Sequence, residues 1–224
     1  MQTPGQEQKW NMLSVVIPTL NAAATLDATI ASVVAADEVV VVDGGSLDTT
    51  VSQAIALGAR AVVAPRGRGS QLAEGVRAAR GDWLLLMHAD TRLAADWRAY
   101  LPSPGQAGYF RFTLDSNDPR AKRLERLVAW RCRVLALPYG DQGLLIHRLL
   151  LDSIGGIAPW PLMEDVDLVR RLGRRRLVAL EAAAVTSATK WQRDGWYRRS
   201  LRNLTCLSLY FCGVPPRLIA RLYG

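Results

Sequence analysis

An aspartate set just beyond an apolar run is the first residue of this chain that could do chemistry. Trp83-Leu84-Leu85-Leu86 reads as a buried strand, and Met87-His88-Ala89-Asp90-Thr91 follows it directly. Open α/β sheets bind ligands outside the carboxyl ends of their strands. An acid there can hold a hard cation and, through it, a diphosphate. It can equally cap a turn. Asp43 ends an earlier apolar run, Glu38-Val39-Val40-Val41-Val42, in the same way. It could accept hydrogen bonds from a base or ribose, or simply open the turn at Gly44-Gly45-Ser46. Together with Pro18-Thr19-Leu20-Asn21, which follows the run Leu13–Ile17, these strand ends outline a nucleotide pocket.

Met163-Glu164-Asp165-Val166-Asp167 is a second chemical candidate, dense in acid within an apolar and basic stretch. Close carboxylates raise one another's pKa, which suits a general base near neutral pH; acids at a helix N-terminus are the plainer reading. Gly140-Asp141-Gln142-Gly143 is a loop that shapes a pocket or makes a turn. Arg66 and Arg68 either face a phosphate or are solvated. No Gly-x-Gly-x-x-Gly follows the first strand, no P-loop is present, and Gly67-x-Gly69 is too weak a signal to use.

Around these residues the chain alternates apolar runs with helical segments. Strands are expected at Leu13–Ile17 (stopped by Pro18), 38–42, 61–64 and 83–87, with helices at 22–34, about 48–57 and 69–80. That alternation predicts a parallel sheet with right-handed crossovers. The second half is less regular. It gives strands at 108–112, 143–147 and 177–185, and helices at 120–136, 163–172 and 195–212 before a last short helix.

Half of the 224 residues are hydrophobic, so the chain is long enough and apolar enough to bury a core. Three cysteines, Cys132, Cys206 and Cys212, form no paired framework and fit a reducing cytoplasm. The net charge of +8 is uneven: residues 1–165 hold 16 Lys+Arg against 17 Asp+Glu, and residues 166–224 hold 12 against 3. A basic segment of this kind attracts anionic lipid, nucleic acid or phosphorylated ligands, or is a solvated face. Trp191, Trp196, Tyr197, Tyr210 and Phe211 are interleaved with its arginines, so residues 190–223 either lie on an anionic membrane surface or form a basic helix packed on the core, its arginines solvated or pairing with a diphosphate. No apolar run is long enough to span a bilayer. Residues 1–11 are expected to be a loose leader, and 12–224 one domain: a nucleotide-binding half at 12–100, an acceptor and catalytic half at 101–189, and a basic amphipathic helical appendage at 190–224.

Taken in order, Pro18-Thr19-Leu20-Asn21, Val42-Asp43-Gly44-Gly45-Ser46-x-Asp48, Leu86-x-His88-Ala89-Asp90-Thr91, Gly140-Asp141-Gln142-Gly143 and Met163-Glu164-Asp165-Val166-Asp167 make a recognisable set. From about Leu13 to about Leu172 the chain resembles a short bacterial member of the family 2 glycosyltransferases. The resemblance implies the α/β GT-A fold, with a Rossmann-like, mostly parallel central sheet flanked by helices. It implies a hexosyltransferase-type enzyme that moves a sugar from a nucleotide-diphosphate sugar to an acceptor hydroxyl with inversion. By position, Thr19 and Asp43 would bind the nucleoside, and Asp90 would be the metal ligand of the family's Asp-x-Asp. Asp165 would be the base and Glu164 its support. The donor side would also include Pro18, Asn21, Arg66, Arg68, Gln71, His88 and Ala89. The acceptor side would include Asp141, Gln142 and Trp191, receiving a lipid-linked or small-molecule acceptor.

The sequence departs from that pattern at three points. Ala22 stands where an acid usually follows Pro-x-x-Asn. His88 replaces the first acid of Asp-x-Asp; a neutral imidazole can still bind a divalent cation, Mn²⁺ or Mg²⁺, beside Asp90. Gln-x-x-Arg-Trp is absent as such, which implies non-processive transfer. Two rival readings are a nucleotidyltransferase-like enzyme and a non-catalytic nucleotide-sugar-binding protein. The first typically carries a Gly-rich, Lys-containing first loop, and Pro18 to Ala23 has neither feature. A nucleic-acid partner is not expected. The cytoplasm, with peripheral contact at the inner face of the membrane, is the expected location.

Overall fold

Val15, Val16 and Ile17 are fully buried because β1 (Leu13–Thr19) has a strand on each edge and helices over both faces. The structure, a computed structural model, describes residues 12–223; the expected leader at 1–11 lies outside them. β1, β2 (Glu38–Asp43), β3 (Arg60–Val63) and β4 (Trp83–Leu86) alternate with α1 (Ala23–Ser32), α2 (Thr50–Ala56) and α3 (Arg68–Ala78). These four strands are parallel, as the alternation predicts. The valine run of β2 divides between two cores: Val41 packs with Leu26 and Ile30 of α1, whereas Val40 and Val42 pack with Leu72 of α3. A strand covered on both faces needs no polar alternation.

The rest of the chain extends the same sheet. It supplies β5 (Thr91–Leu93), β6 (Ala107–Leu114), α4 (Pro119–Leu135), β7 (Leu144–His147), α5 (Arg148–Ser153), α6 (Glu164–Leu172) and β8 (Leu177–Thr186). The strand order is β3-β2-β1-β4-β7-β6-β8-β5. β7 runs antiparallel to β4 and β6, and β5 antiparallel to β8, so the sheet is mixed but mostly parallel. Helices α7 (Thr189–Asp194), α8 (Trp196–Phe211) and α9 (Pro216–Tyr223) complete the chain.

Pro18 does not stop β1; the strand runs on to Thr19, paired with Asp43. The reason is register. The Val16 carbonyl accepts from Met87 N–H on the β4 side, and Pro18, two residues on, faces that side beyond the last β4 pair at Val16–Leu86. Its missing N–H therefore costs no ladder bond. The segment expected as an appendage is packed into the body. Trp191 and Trp196 share a cluster with Ala121, Val128 and Cys132 of α4, and Cys206 and Ile219 share another with Met163 and Val166 at the start of α6. Among the described residues, no helix is long and apolar enough to cross a membrane.

Candidate active site

The loops after β1 and β2 are built as one unit. Asp43 is buried at the tip of β2, and its Oδ2 accepts the N–H groups of Gly45 (2.9 Å) and Ser46 (2.8 Å). Its Oδ1 accepts the hydroxyls of Ser46 and Thr19. Burial pushes this carboxyl up, but the bonds from Ser46, Gly45 and Thr19 outweigh it and hold it below the usual range. Beneath the loop, the Gln71 amide donates to the carbonyls of Thr19 (2.7 Å) and Val42 (2.8 Å), tying the two strand tips together. Asn21 takes a left-handed backbone (φ 50°), and its N–H donates to the Ser46 hydroxyl. Ala22 cannot cap α1 with its side chain; Thr50 and Asp48 do so from the next loop, accepting from Ala22 N–H (2.8 Å) and Ala23 N–H (3.2 Å). The missing acid at position 22 is thus offset structurally from across the pocket.

At the end of β4, the Ala89 carbonyl accepts the hydroxyls of Thr25 (2.7 Å) and Thr29 (2.9 Å), and the Asp90 carbonyl accepts Ser187 N–H (3.0 Å). This fixes the His88-Ala89-Asp90 backbone between α1 and the end of β8. The Asp90 carboxylate pairs with Lys190 Nζ of α7 at 2.7 Å. Burial raises Asp90, but Lys190 and then His88 pull it below the usual carboxylate range. His88 is driven down to about 4 by burial and by the Arg68 cation, so its ring is neutral at physiological pH.

Across from this loop, α6 follows directly on Met163, whose backbone is left-handed (φ 67°). That bend delivers Glu164 and Asp165 to the strand ends. Asp165 Oδ2 accepts Gly140 N–H at 2.9 Å and Oδ1 accepts Val166 N–H at 2.8 Å. Burial disfavours its charge, but Arg68 and the Gly140 N–H more than offset that and hold it ionised. Glu164 is almost fully buried, with Arg68 Nε 3.0 Å from its Oε1; burial pushes its carboxyl up to about 7 against the pull of Arg68. Arg68 Nη1 lies 3.4 Å from His88 Nε2, so one guanidinium links the β4 loop to the α6 carboxylates. Gly140 stands against the imidazole: a Cβ there would lie 2.5 Å from His88 Nε2. Its neighbour Asp141 is raised by burial to about 6, and its Oδ1 is buried without a hydrogen-bond partner. A cleft beside this cluster runs from His88, Glu164 and Asp165 to an apolar wall of Leu72, Leu86 and Leu168.

A divalent cation would be held here by Asp90 and His88. Among the described residues, no three His, Cys, Asp or Glu side chains form a cage. A single carboxylate with a neutral imidazole fits a cation whose shell is completed by phosphate oxygens and water. That cation would have to share Asp90 with Lys190.

Several expected site residues have other work. Gln71 and Gln142 are scaffold rather than ligand-facing. Gln142 is buried; its amide donates to the Phe110 carbonyl and its Oε1 accepts Tyr139 N–H and Arg131. Trp191 is not on an acceptor face; it stacks on Trp196 at 6.1 Å inside a core cluster. Arg66 lies exposed on the loop before α3, while Arg68 faces the site. Pro18 is a buried strand residue. Asp167, third acid of its cluster, pairs with Arg171 one helical turn on. Gly69 has a packing role: a Cβ there would lie 2.2 Å from the Ala158 carbonyl. The residue that sequence reasoning missed is Lys190. The signal was there, since it is one of three lysines (Lys9, Lys122, Lys190) among 28 Lys+Arg.

Comparisons with known proteins show what the chain is similar to. The model described as "Glycosyl transferase family 2" matches residues 14–101, which hold β1 to β5 and the donor-side loops. A PGL/p-HBAD biosynthesis glycosyltransferase of Mycobacterium bovis is 39% identical over 93 residues, covering 37% of this chain and 36% of the relative. Glucosyl-3-phosphoglycerate synthase from Mycobacterium tuberculosis, in complex with Mn²⁺, UDP and glucosyl-3-phosphoglycerate, superposes with a TM-score of 0.62 at 25% identity, covering 92% of this chain and 81% of that one. Over residues 14–101 the chain is similar to the family 2 glycosyltransferases. Its fold is GT-A, a likeness that extends to S. aureus TarS (TM-score 0.61, 16% identity, 79% of this chain and 60% of that one). The chain spans about a third of the length of the curated relatives it matches.

Proposed function

We propose that this chain transfers a sugar from a nucleotide-diphosphate sugar to an acceptor hydroxyl, with inversion and without processivity. The observation that carries this reading is Asp165, ionised and fixed by Gly140 N–H, next to the β4-end loop that bears His88 and Asp90. The loop of Thr19, Asn21 and Asp43–Ser46 forms the nucleoside floor. Asp43 acts mainly by shaping the loop, since its oxygens are already engaged. Asp90 and His88 would hold a divalent cation, and Lys190 adds positive charge at the same place. When bound, the cation offsets charge on the departing diphosphate.

Asp165 accepts the proton of the acceptor hydroxyl as that oxygen attacks the anomeric carbon from the face opposite the diphosphate. The new carbon–oxygen bond forms as the bond to the diphosphate breaks, and its electron pair leaves on the nucleoside diphosphate. Lys190 and Arg68 face the charge that develops there without needing to reorganise. Asp141, with its orphan buried oxygen, suits a hydroxyl of the sugar or acceptor.

UDP-sugars are the first donors to test, because the mycobacterial synthase is solved with Mn²⁺, UDP-glucose and phosphoglyceric acid (26% identity, TM-score 0.62, 92% of this chain and 81% of that one). That complex also favours a small acidic acceptor. The free thiols of Cys132, Cys206 and Cys212 fit a reducing compartment. The deciding experiment is an assay of UDP, GDP and TDP release from their sugar conjugates, with pyrophosphate measured in parallel. Pyrophosphate release would replace this reading with a nucleotidyltransferase. Neither product, together with no nucleotide binding, would replace it with a binding protein.

A further inference from the structure

The last two helices turn an apolar stripe outward, and its cationic surroundings say what covers it. On α8, Tyr197, Leu201, Leu204 and Phe211 are exposed, Leu201 by 65% and Leu204 by 59%. Their spacing of four, three and seven residues keeps them on one helix face. Leu218 and Leu222 of α9, four residues apart, are exposed as well. The opposite faces are anchored through Trp196, Cys206 and Ile219. Each helix therefore has an apolar outer face and an anchored inner one.

Charge distinguishes between occupants. From Gly195 onward the chain carries five arginines and no carboxylate. Arg199 and Arg202 bind Asp194, which leaves Arg198, Arg217 and Arg221 exposed around the stripe. A second copy would bring the same positive surface against itself, which is unfavourable. A nucleic acid would use the arginines but leave the leucines with nothing to bury. α4 repeats the composition: its inner face enters the same cluster as Trp196, and it turns Leu127, Trp130 and Val134 outward beside Arg126 and Arg133.

We propose that α8 and α9 form a peripheral docking surface for an anionic phospholipid bilayer, with the leucines and aromatics entering the headgroup–acyl boundary and Arg198, Arg217 and Arg221 meeting lipid phosphates. The pair packs on Met163 and Val166, so a bilayer held there would adjoin the first turn of α6, which carries Asp165. This inference does not depend on the transfer reaction.

The test is co-sedimentation of the full chain with vesicles of phosphatidylcholine alone or mixed with phosphatidylglycerol. Binding should require the anionic lipid and fall in high salt. The triple variant Arg198→Gln, Arg217→Gln, Arg221→Gln should weaken it on the order of a hundredfold, each arginine near the surface contributing a factor of roughly five. The double variant Leu201→Gln, Leu204→Gln should weaken it at least tenfold, with unfolding temperature and nucleotide binding unchanged. No binding, equal binding to neutral vesicles, or unaltered binding in both variants would overturn the proposal. So would light scattering that shows a dimer which the leucine variant dissolves.

Discussion

Lys190 Nζ sits 2.7 Å from Asp90 Oδ2, bringing α7 against the strand-end acid that the sequence marks as the cation ligand. Asp90 is thus already paired with one positive charge. Lys190→Ala should weaken UDP binding without added cation by about fivefold to tenfold, on the order of 1 kcal/mol for a half-exposed charge. With Mn²⁺ present the loss should shrink, because the ion gains an unshared carboxylate. Calorimetry with and without Mn²⁺ reads both numbers; equal losses would separate Lys190 from the cation site.

Asp165→Asn keeps the size of the side chain and an oxygen for the Gly140 N–H, and removes the base. Turnover should fall at least about a hundredfold while nucleotide affinity stays within about threefold. Full activity in that variant would take Asp165 out of the role.

Gly140→Ala places a methyl 2.5 Å from His88 Nε2 on the same residue whose N–H fixes Asp165. Relieving that overlap should cost about 1–3 kcal/mol, visible as a lower Tm by calorimetry. Nucleotide binding and turnover should fall together, since His88 and Asp165 move as one.

Burial pushes the Glu164 carboxyl up to about 7 from its ordinary 4.5. A group that binds its proton more tightly when folded contributes stability that is complete below the ordinary value and is lost as pH rises through the folded one. Stability should therefore decline from about pH 4.5 to about pH 7, and Glu164→Gln should flatten that decline in urea melts across the range. Asp141, raised to about 6, leaves a residual slope at the acidic end. An unchanged profile would mean that Glu164 stays ionised against Arg68 throughout.

The parallel half of the sheet was legible because β1, β2 and β4 are continuous apolar runs, and only strands covered on both faces read that way. β5 was not: Thr91–Leu93 is three residues long, and nothing local says that it pairs with residues 184–186. The antiparallel placement of β7 between β4 and β6 is equally a long-range fact. Within the site, acids at strand ends were readable because position alone marks them. Gln71, Gln142 and Trp191 are not legible in this way, because a polar or aromatic side chain near a motif looks the same in sequence whether it faces a pocket, a backbone carbonyl or the core. Burial decides that, and burial here depends on α4, α7 and α8 closing over one cluster.

Thr25 and Thr29 stand one turn apart on α1 and both donate to the Ala89 carbonyl, while Asn21 and Ala22 just before that helix are tied to Ser46 and Thr50. α1 therefore fixes the loop after β2 and the loop after β4 in one relation to each other. Thr25 and Thr29 lie about 6 Å apart along its axis, so the helix grips the Ala89 carbonyl over a full turn. Tilting the helix from below, through the buried Leu26, would shift the two loops against each other while leaving every residue of both unchanged.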